Sequence, residues 1–117
     1  MKDYQEIADN CCDYLQIHDD HWPVIKVGGR TPKWANKETD LGAAMPTVDG
    51  RPTIWVNRKL CKMCGVDEVK VMLHEVAHAW AYTLHFEGDD NIREINDERF
   101  AEACEKLLYD LFCERVF

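Results

Sequence analysis

Five consecutive residues, His74-Glu75-Val76-Ala77-His78, have the types and the spacing of a metal site. On an α-helix, side chains four residues apart lie on one face, so both imidazoles can reach one ion while Glu75 lies at the edge of that face. Zinc suits nitrogen ligands, and a site with three protein ligands keeps a fourth position for a water that the metal makes acidic. The motif therefore predicts one Zn²⁺ per chain, bound by His74 and His78, with Glu75 as the catalytic general base.

The third metal ligand must come from another part of the chain. In the extended form of the motif a third histidine follows the second by six residues, but here Leu84 occupies that position. His85 lies about 10 Å beyond His78 along a helix, too far to share the ion. Glu98 follows His78 by twenty residues, and Glu102 follows one helical turn later. One arc of the predicted last helix carries four polar residues, so spacing alone leaves both glutamates open as the ligand: Glu98, Glu102, Glu105 and Tyr109.

An HExxH motif followed at this spacing by a helix-borne glutamate, with an acidic residue four places on, resembles the gluzincin clan of zinc metallopeptidases, which includes the thermolysin-like proteases. The segment Glu98-Arg-Phe-Ala101 is also similar to ImmA/IrrE-type peptidases. The resemblance implies hydrolysis of peptide bonds in a polypeptide substrate, with Glu98 as the third zinc ligand. It also implies that Glu102 accepts a hydrogen bond from the free ring nitrogen of His74. Thermolysin-like proteases have Asp at the position of Glu102, which leaves Glu102 as the alternative ligand.

The same resemblance implies how a substrate is held. In gluzincins an edge strand of the sheet pairs with an extended peptide above the metal. Residues 52–57, just before the HExxH helix, are the expected counterpart. The order of helix, small sheet, HExxH helix and glutamate helix matches the minimal members of the clan. The prediction is therefore a single zincin-like domain over residues 1–117.

Hydrophobic periodicity and turn signals predict the elements that position these residues. Apolar residues recur at intervals of three and four over residues 3–18, which indicates a first helix. Three extended runs predict a small sheet: residues 23–29, 41–48 and 52–57. Asp49-Gly50 predicts a hairpin turn between the last two. Asp67 is the predicted N-cap of the HExxH helix, which extends to about residue 86, and the last helix spans about 92–115. The predicted fold class is α+β.

The HExxH helix has a polar and an apolar face. At about 100° per residue, Tyr82 and His85 share an arc of about 80° with the two motif histidines. The opposite arc is apolar: Val69, Leu73, Val76, Trp80 and Leu84. We therefore expect the polar face to line a site and the other face to pack against the sheet.

Composition narrows the range of partners. The chain carries 14 basic and 22 acidic residues and a formal charge of −8, which argues against binding to nucleic acid phosphates or to an anionic membrane surface. The N-terminal stretch is acidic where a signal peptide is apolar, and no run of 18 apolar residues occurs. We expect a cytoplasmic protein, with self-association as an open possibility.

Six cysteines without a secretory context predict reduced thiols rather than a disulfide framework. Cys61-Lys-Met-Cys64 has the spacing of a metal-binding pair, but a structural zinc needs about two more ligands. The alternative is a metal-free turn with partly buried thiols that enters the HExxH helix. Cys104 and Cys113 are predicted to lie in the core.

Two rival interpretations remain open at the level of sequence. The first is a binding or regulatory module, for instance phage-encoded, that keeps zinc only as a structural clamp. The second is a metal-free domain with a coincidental motif, although five His and ten Glu in 117 residues give about 0.02 chance occurrences of HExxH. Glu75 distinguishes the enzyme from the structural zinc site, because a zinc ion that only stabilises the fold does not need a general base beside it.

Overall fold

The computed structural model describes residues 3–17, 20, 22–45, 51–83 and 90–116, with backbone only for 81–83 and 90–97. Over these residues the chain forms four helices and three strands, which confirms the predicted α+β class. In chain order they are α1 (Tyr4–Tyr14), β1 (Val24–Val27), β2 (Gly42–Met45), β3 (Thr53–Val56), α2 (Arg58–Cys64), α3 (Glu68–Thr83) and α4 (Asp90–Cys113).

The sheet has the strand order β1-β3-β2. Strand β2 pairs antiparallel with β3, which confirms the pairing expected of the two later strands; the Asp49-Gly50 turn lies outside the described residues. Strand β1 pairs parallel with β3. The assignment of residues 52–57 to a free edge strand is therefore wrong, because both sides of β3 are already paired. Within the described residues β1 and β2 are the edge strands of this sheet, and the side chain of Gln5 accepts a hydrogen bond from the N–H of Ile25 on β1. Which strand becomes central depends on long-range pairing.

Local capping signals explain where the helices begin. The side chain of Asp3 accepts a hydrogen bond from the backbone N–H of Glu6 at the start of α1. Asp67 accepts from the N–H of Val69 at 2.8 Å, as predicted for the N-cap of the HExxH helix. These polar caps satisfy backbone donors that have no partner inside the helix.

Helix α2 occupies the segment for which the sequence analysis expected a turn, so that expectation is corrected. The side chain of Asn57 caps its first turn by accepting from the N–H of Leu60. Gly65 ends the helix in the left-handed region, at φ 67°. An Asn N-cap and a Gly in the left-handed conformation are ordinary helix boundaries, and here they lie only eight residues apart.

Helix α3 lies over one face of the sheet and also packs along α4. Its apolar arc is buried as predicted at Val69, Leu73 and Val76, while Leu84 lies outside the described residues. Burial of side chains of this size stabilises the fold by about 1.5–3 kcal/mol each. On the sheet, Ile54 and Val56 face this core. The polar arc of α3 is thereby turned away from the sheet's centre, toward α4.

The cysteines occupy several environments. Cys11, Cys12 and Cys61 are buried, and burial raises the pKa of the Cys12 thiol to about 12. Cys104 is half-buried and packs against the core, as predicted. Cys113 is exposed at the end of α4, so its predicted core position is wrong. Among the described residues, no helix combines the length and apolar character needed to cross a membrane.

Candidate metal centre

Helices α3 and α4 bring three potential metal ligands together. His74 and His78 lie one turn apart on α3, and their Nε2 atoms are 3.1 Å from each other. The carboxylate of Glu98 on α4 approaches both, with one oxygen 3.3 Å from Nε2 of His74 and the other 3.1 Å from Nε2 of His78. Ligand atoms of all three residues lie within 4.8 Å of one another. Of the two glutamates left open by spacing, Glu98 is the one that the fold brings to the histidines.

These three groups lie close enough together to share one small cation. Two ligands bound to zinc at about 2.0–2.1 Å and at tetrahedral angles lie roughly 3.3 Å apart, close to the 3.1 Å between the two Nε2 atoms. Each histidine is 3.1–3.3 Å from a different oxygen of Glu98. Two imidazole nitrogens and one carboxylate are a donor set that zinc accepts. In the part of the chain that the structure describes, this is the only such group of His, Cys, Asp or Glu. His74, His78 and Glu98 therefore form a site that could hold a metal ion.

Two of the three candidate ligands, His74 and Glu98, line a cleft of about 500 Å³. The imidazoles are recessed, with 20% of the His74 side chain exposed, whereas the Glu98 side chain is 54% exposed. One wall is formed by the last residues before β2 and by the first residue of that strand: Thr39, Asp40, Leu41 and Gly42. Glu105 of α4 also lines the cleft. The first residue of edge strand β2 and two of the candidate ligands thus line the same cleft.

Glu75 lines this cleft but is only 8% exposed. Burial raises the pKa of its carboxyl to about 8, and repulsion from the carboxylates of Glu98 and Asp40 adds to the shift. A cation beside the histidines would favour the ionised form of Glu75 and counteract these effects. Glu75 is therefore a buried acid whose charge state depends on what the neighbouring site contains.

The other ring nitrogen of His74 faces Glu105 rather than the residue expected from sequence. Nδ1 of His74 lies 3.7 Å from a carboxylate oxygen of Glu105, longer than a hydrogen bond but close enough for electrostatic attraction. Glu102 is exposed on α4, and its role as acceptor stays a prediction. The sequence signal for Glu105 was its place on the same helical arc as Glu98, two turns further on.

The other residues singled out in the sequence are not among the candidate ligands. The hydroxyl of Tyr109 donates to Asp67 at 2.7 Å, at the other end of α3. The side chain of Tyr82 and the whole of His85 lie outside the described residues. Cys61 is buried against the carbonyl of Leu41 while Cys64 is exposed. The positions of Asp40 and Gly42 in the cleft had no sequence signal, because they depend on how β2 docks beside α3.

Comparison of the chain with protein-family models, with curated proteins and with solved structures finds no match. The resemblance to gluzincins therefore rests on the sequence motif and its spacing alone. What the molecule presents is an α+β fold with a His-His-Glu group that could hold a metal.

Proposed function

We propose that the protein is a zinc-dependent metallopeptidase of the gluzincin type, with His74, His78 and Glu98 as the zinc ligands. The observation that carries the proposal is the convergence of the three ligand groups, with contacts of 3.1–3.3 Å between them, beside a buried carboxylate. Zinc in this site would supply a Lewis acid that activates a water molecule and polarises a peptide carbonyl. The remaining chemistry belongs to residues of the chain.

Glu75 is the proposed general base. It follows a ligand directly in sequence, lines the cleft and is shielded from bulk water. Once ionised, its carboxylate would accept a proton from water in the cleft and deliver it to the leaving amine. A carboxyl group with a pKa raised toward neutrality suits both steps, because proton transfer to it and from it then requires little free energy.

The proposed substrate is an extended polypeptide segment held on strand β2. This strand takes the place that the sequence analysis gave to residues 52–57, because β2 is a free edge of the sheet and Gly42 lines the metal cleft. Backbone groups on a free edge can pair with an added strand. A peptide bound there would lie with its backbone alongside the proposed ligands and Glu75.

The test combines a metal measurement with a catalytic substitution. Purified protein should contain one zinc per chain and cleave an unstructured polypeptide, and a chelator should abolish cleavage. Glu75→Gln keeps size and helix propensity but removes the base, so it should retain zinc and lose about 10²- to 10⁴-fold in rate. Glu114→Gln, the same change at an exposed residue after α4, is the matched control and should behave like the parent.

The outcomes separate three interpretations. Equal cleavage by parent and Glu75→Gln would mean that another residue or a contaminant cleaves the substrate. Stoichiometric zinc without cleavage of any of a broad set of polypeptides would favour the zinc-stabilised binding module. No zinc uptake would leave the motif coincidental.

A further inference from the structure

Charge is strongly segregated along the chain. Residues 22–63 contain eight of the 14 basic residues but only three of the 22 acidic ones, a net charge of +5. The other segments contain six basic and 19 acidic residues, a net charge of −13, and the two parts sum to −8. A basic region within so acidic a chain is a feature that neither the fold nor the metal centre explains.

The structure gathers seven of these eight basic residues around a surface groove, here named the basic groove. One part, of about 790 Å³, is lined by Lys37, Arg58, Lys59 and Lys62. A second part, of about 850 Å³, shares Gly28, Gly29, Thr31 and Trp55 with the first. It adds three more basic residues: Lys26, Arg30 and Lys33. Glu38 is the one acidic residue among those that line the two parts.

Most of these cations have no counter-charge within the described residues. Arg58 pairs with Glu68 at 3.2 Å. The other six basic side chains form no ion pair in the described part of the chain, and all six residues are exposed. Clustered like charges repel one another, and an anionic ligand relieves that repulsion. The groove therefore has the electrostatics of a binding surface for an anionic partner.

The basic groove adjoins the metal cleft through one short segment. Lys37 and Glu38 line the groove, and the next residues, from Thr39 to Gly42, line the cleft. The buried side chain of Asn57 holds this segment by donating to the carbonyls of Lys37 and Asp40 at 2.9 and 3.0 Å. A polypeptide that leaves the cleft over this segment would enter the groove within a few residues.

We propose that the basic groove binds an acidic segment of the polypeptide that the metal cleft cleaves, and so selects substrates with a run of Asp or Glu beside the cleavage site. This inference rests on the proposed function. A single-stranded nucleic acid fits less well, because such ligands stack on exposed aromatic rings. Of the tryptophans in the groove, Trp55 is only 2% exposed and Trp34 is half-buried. The charge of −13 on the rest of the chain also disfavours a long polyanion.

Binding can be measured without turnover on the zinc-loaded Glu75→Gln protein. The probes are two fluorescent unstructured peptides of equal length, one with a run of Glu and one with Gln in its place, and a labelled oligothymidylate. We expect the Glu peptide to bind, with affinity that falls as salt rises, and the Gln peptide to bind far more weakly. The double variant Lys59→Gln, Lys62→Gln should bind the Glu peptide about three- to tenfold more weakly than the parent. The control is the double variant Lys106→Gln, Arg115→Gln, which changes the charge equally at residues on and after α4, away from the groove. Its affinity for the Glu peptide should equal that of the parent.

Three results would overturn the inference: equal affinity for the Glu and Gln peptides, Glu-peptide binding unchanged by the two groove substitutions, or tighter binding of the oligothymidylate. A separate arm uses the parent protein with cleavable peptides that carry either tail, where the Glu tail should lower KM. Failure to cleave either peptide would count against the proposed function. With groove-dependent binding of the Glu peptide retained, that failure would leave the binding site supported.

Discussion

Gly42 on β2 and Glu75 on α3 are in such close contact that a Cβ atom at position 42 would lie 3.1 Å from Cγ of Glu75. The same Cβ would lie 2.7 Å from Cγ1 of Val71 and 3.2 Å from the carbonyl oxygen of Trp55. Both distances are shorter than ordinary van der Waals contacts. The absence of a side chain at position 42 therefore lets the edge strand lie directly against the side chain of Glu75, the proposed general base.

Gly42→Ala should disturb both stability and the placement of Glu75. The added methyl group must push β2 from α3 or displace Val71 and Glu75, and overpacking of this kind costs about 1–3 kcal/mol. Urea unfolding should show that loss, and peptide cleavage should slow while zinc content stays at one per chain. Ala43→Ser, on the next residue and therefore on the other face of the strand, is the matched control. A Gly42→Ala protein with parental stability and rate would mean that the contact is easily relaxed.

The part of the site that sequence reasoning predicted well is the part that is local. His74 and His78 converge because four residues make about one helical turn, whatever the rest of the fold does. The buried arc of Val69, Leu73 and Val76 follows from the same period. Asp67 as N-cap is also a local feature, and the structure confirms it.

The features that sequence reasoning missed depend on how elements dock. Strand order made β3 central and left β2 as the free edge, which no pattern within either strand could reveal. The placement of Glu105, rather than Glu102, toward Nδ1 of His74 depends on how α4 is rotated against α3. Cys113 is exposed because it is the last residue of α4, although its helical spacing from Cys104 predicted a place in the core.

Substitution of the two candidate glutamates should identify the third metal ligand. Glu98→Ala removes a carboxylate that lies 3.1 Å from His78 and should lose most of the bound zinc. Glu102→Ala removes an exposed side chain from the same helix and should keep the zinc. Elemental analysis after dialysis against a weak chelator measures the occupancy. Retention of zinc by Glu98→Ala together with its loss from Glu102→Ala would exchange the two roles.

Glu105 should tune the affinity of the site without binding the metal. A carboxylate near Nδ1 favours the tautomer of His74 that leaves Nε2 free for the ion, and loss of such a partner typically weakens metal binding about 10- to 100-fold. Glu105→Gln should therefore raise the zinc dissociation constant by about that factor in competition with a chromophoric chelator. Glu102→Gln is the matched control on α4. If Glu102→Gln shows the weakening and Glu105→Gln does not, the acceptor is the one expected from sequence.

The metal-free protein should lose stability as pH rises, because of Glu75. Burial raises the pKa of this carboxyl to about 8 in the folded chain, whereas an unfolded chain has a value near 4.3. Between these values the folded state holds a proton that the unfolded state releases, so the free energy of unfolding falls with increasing pH. The slope from this one group is at most about 1.4 kcal/mol per pH unit, and the effect is complete above the folded-state pKa.

Glu75→Gln provides the comparison, since its amide does not titrate. With a chelator present, urea unfolding of parent and variant from about pH 5 to about pH 8 should give a steeper loss of stability in the parent. The two proteins share every other titrating group, so the difference between their slopes reports Glu75. Zinc should reduce that difference, because a nearby cation stabilises the ionised carboxylate in the folded state. Parallel curves in the chelated proteins would show that Glu75 is ionised throughout this range and that water reaches it more freely than its 8% exposure implies.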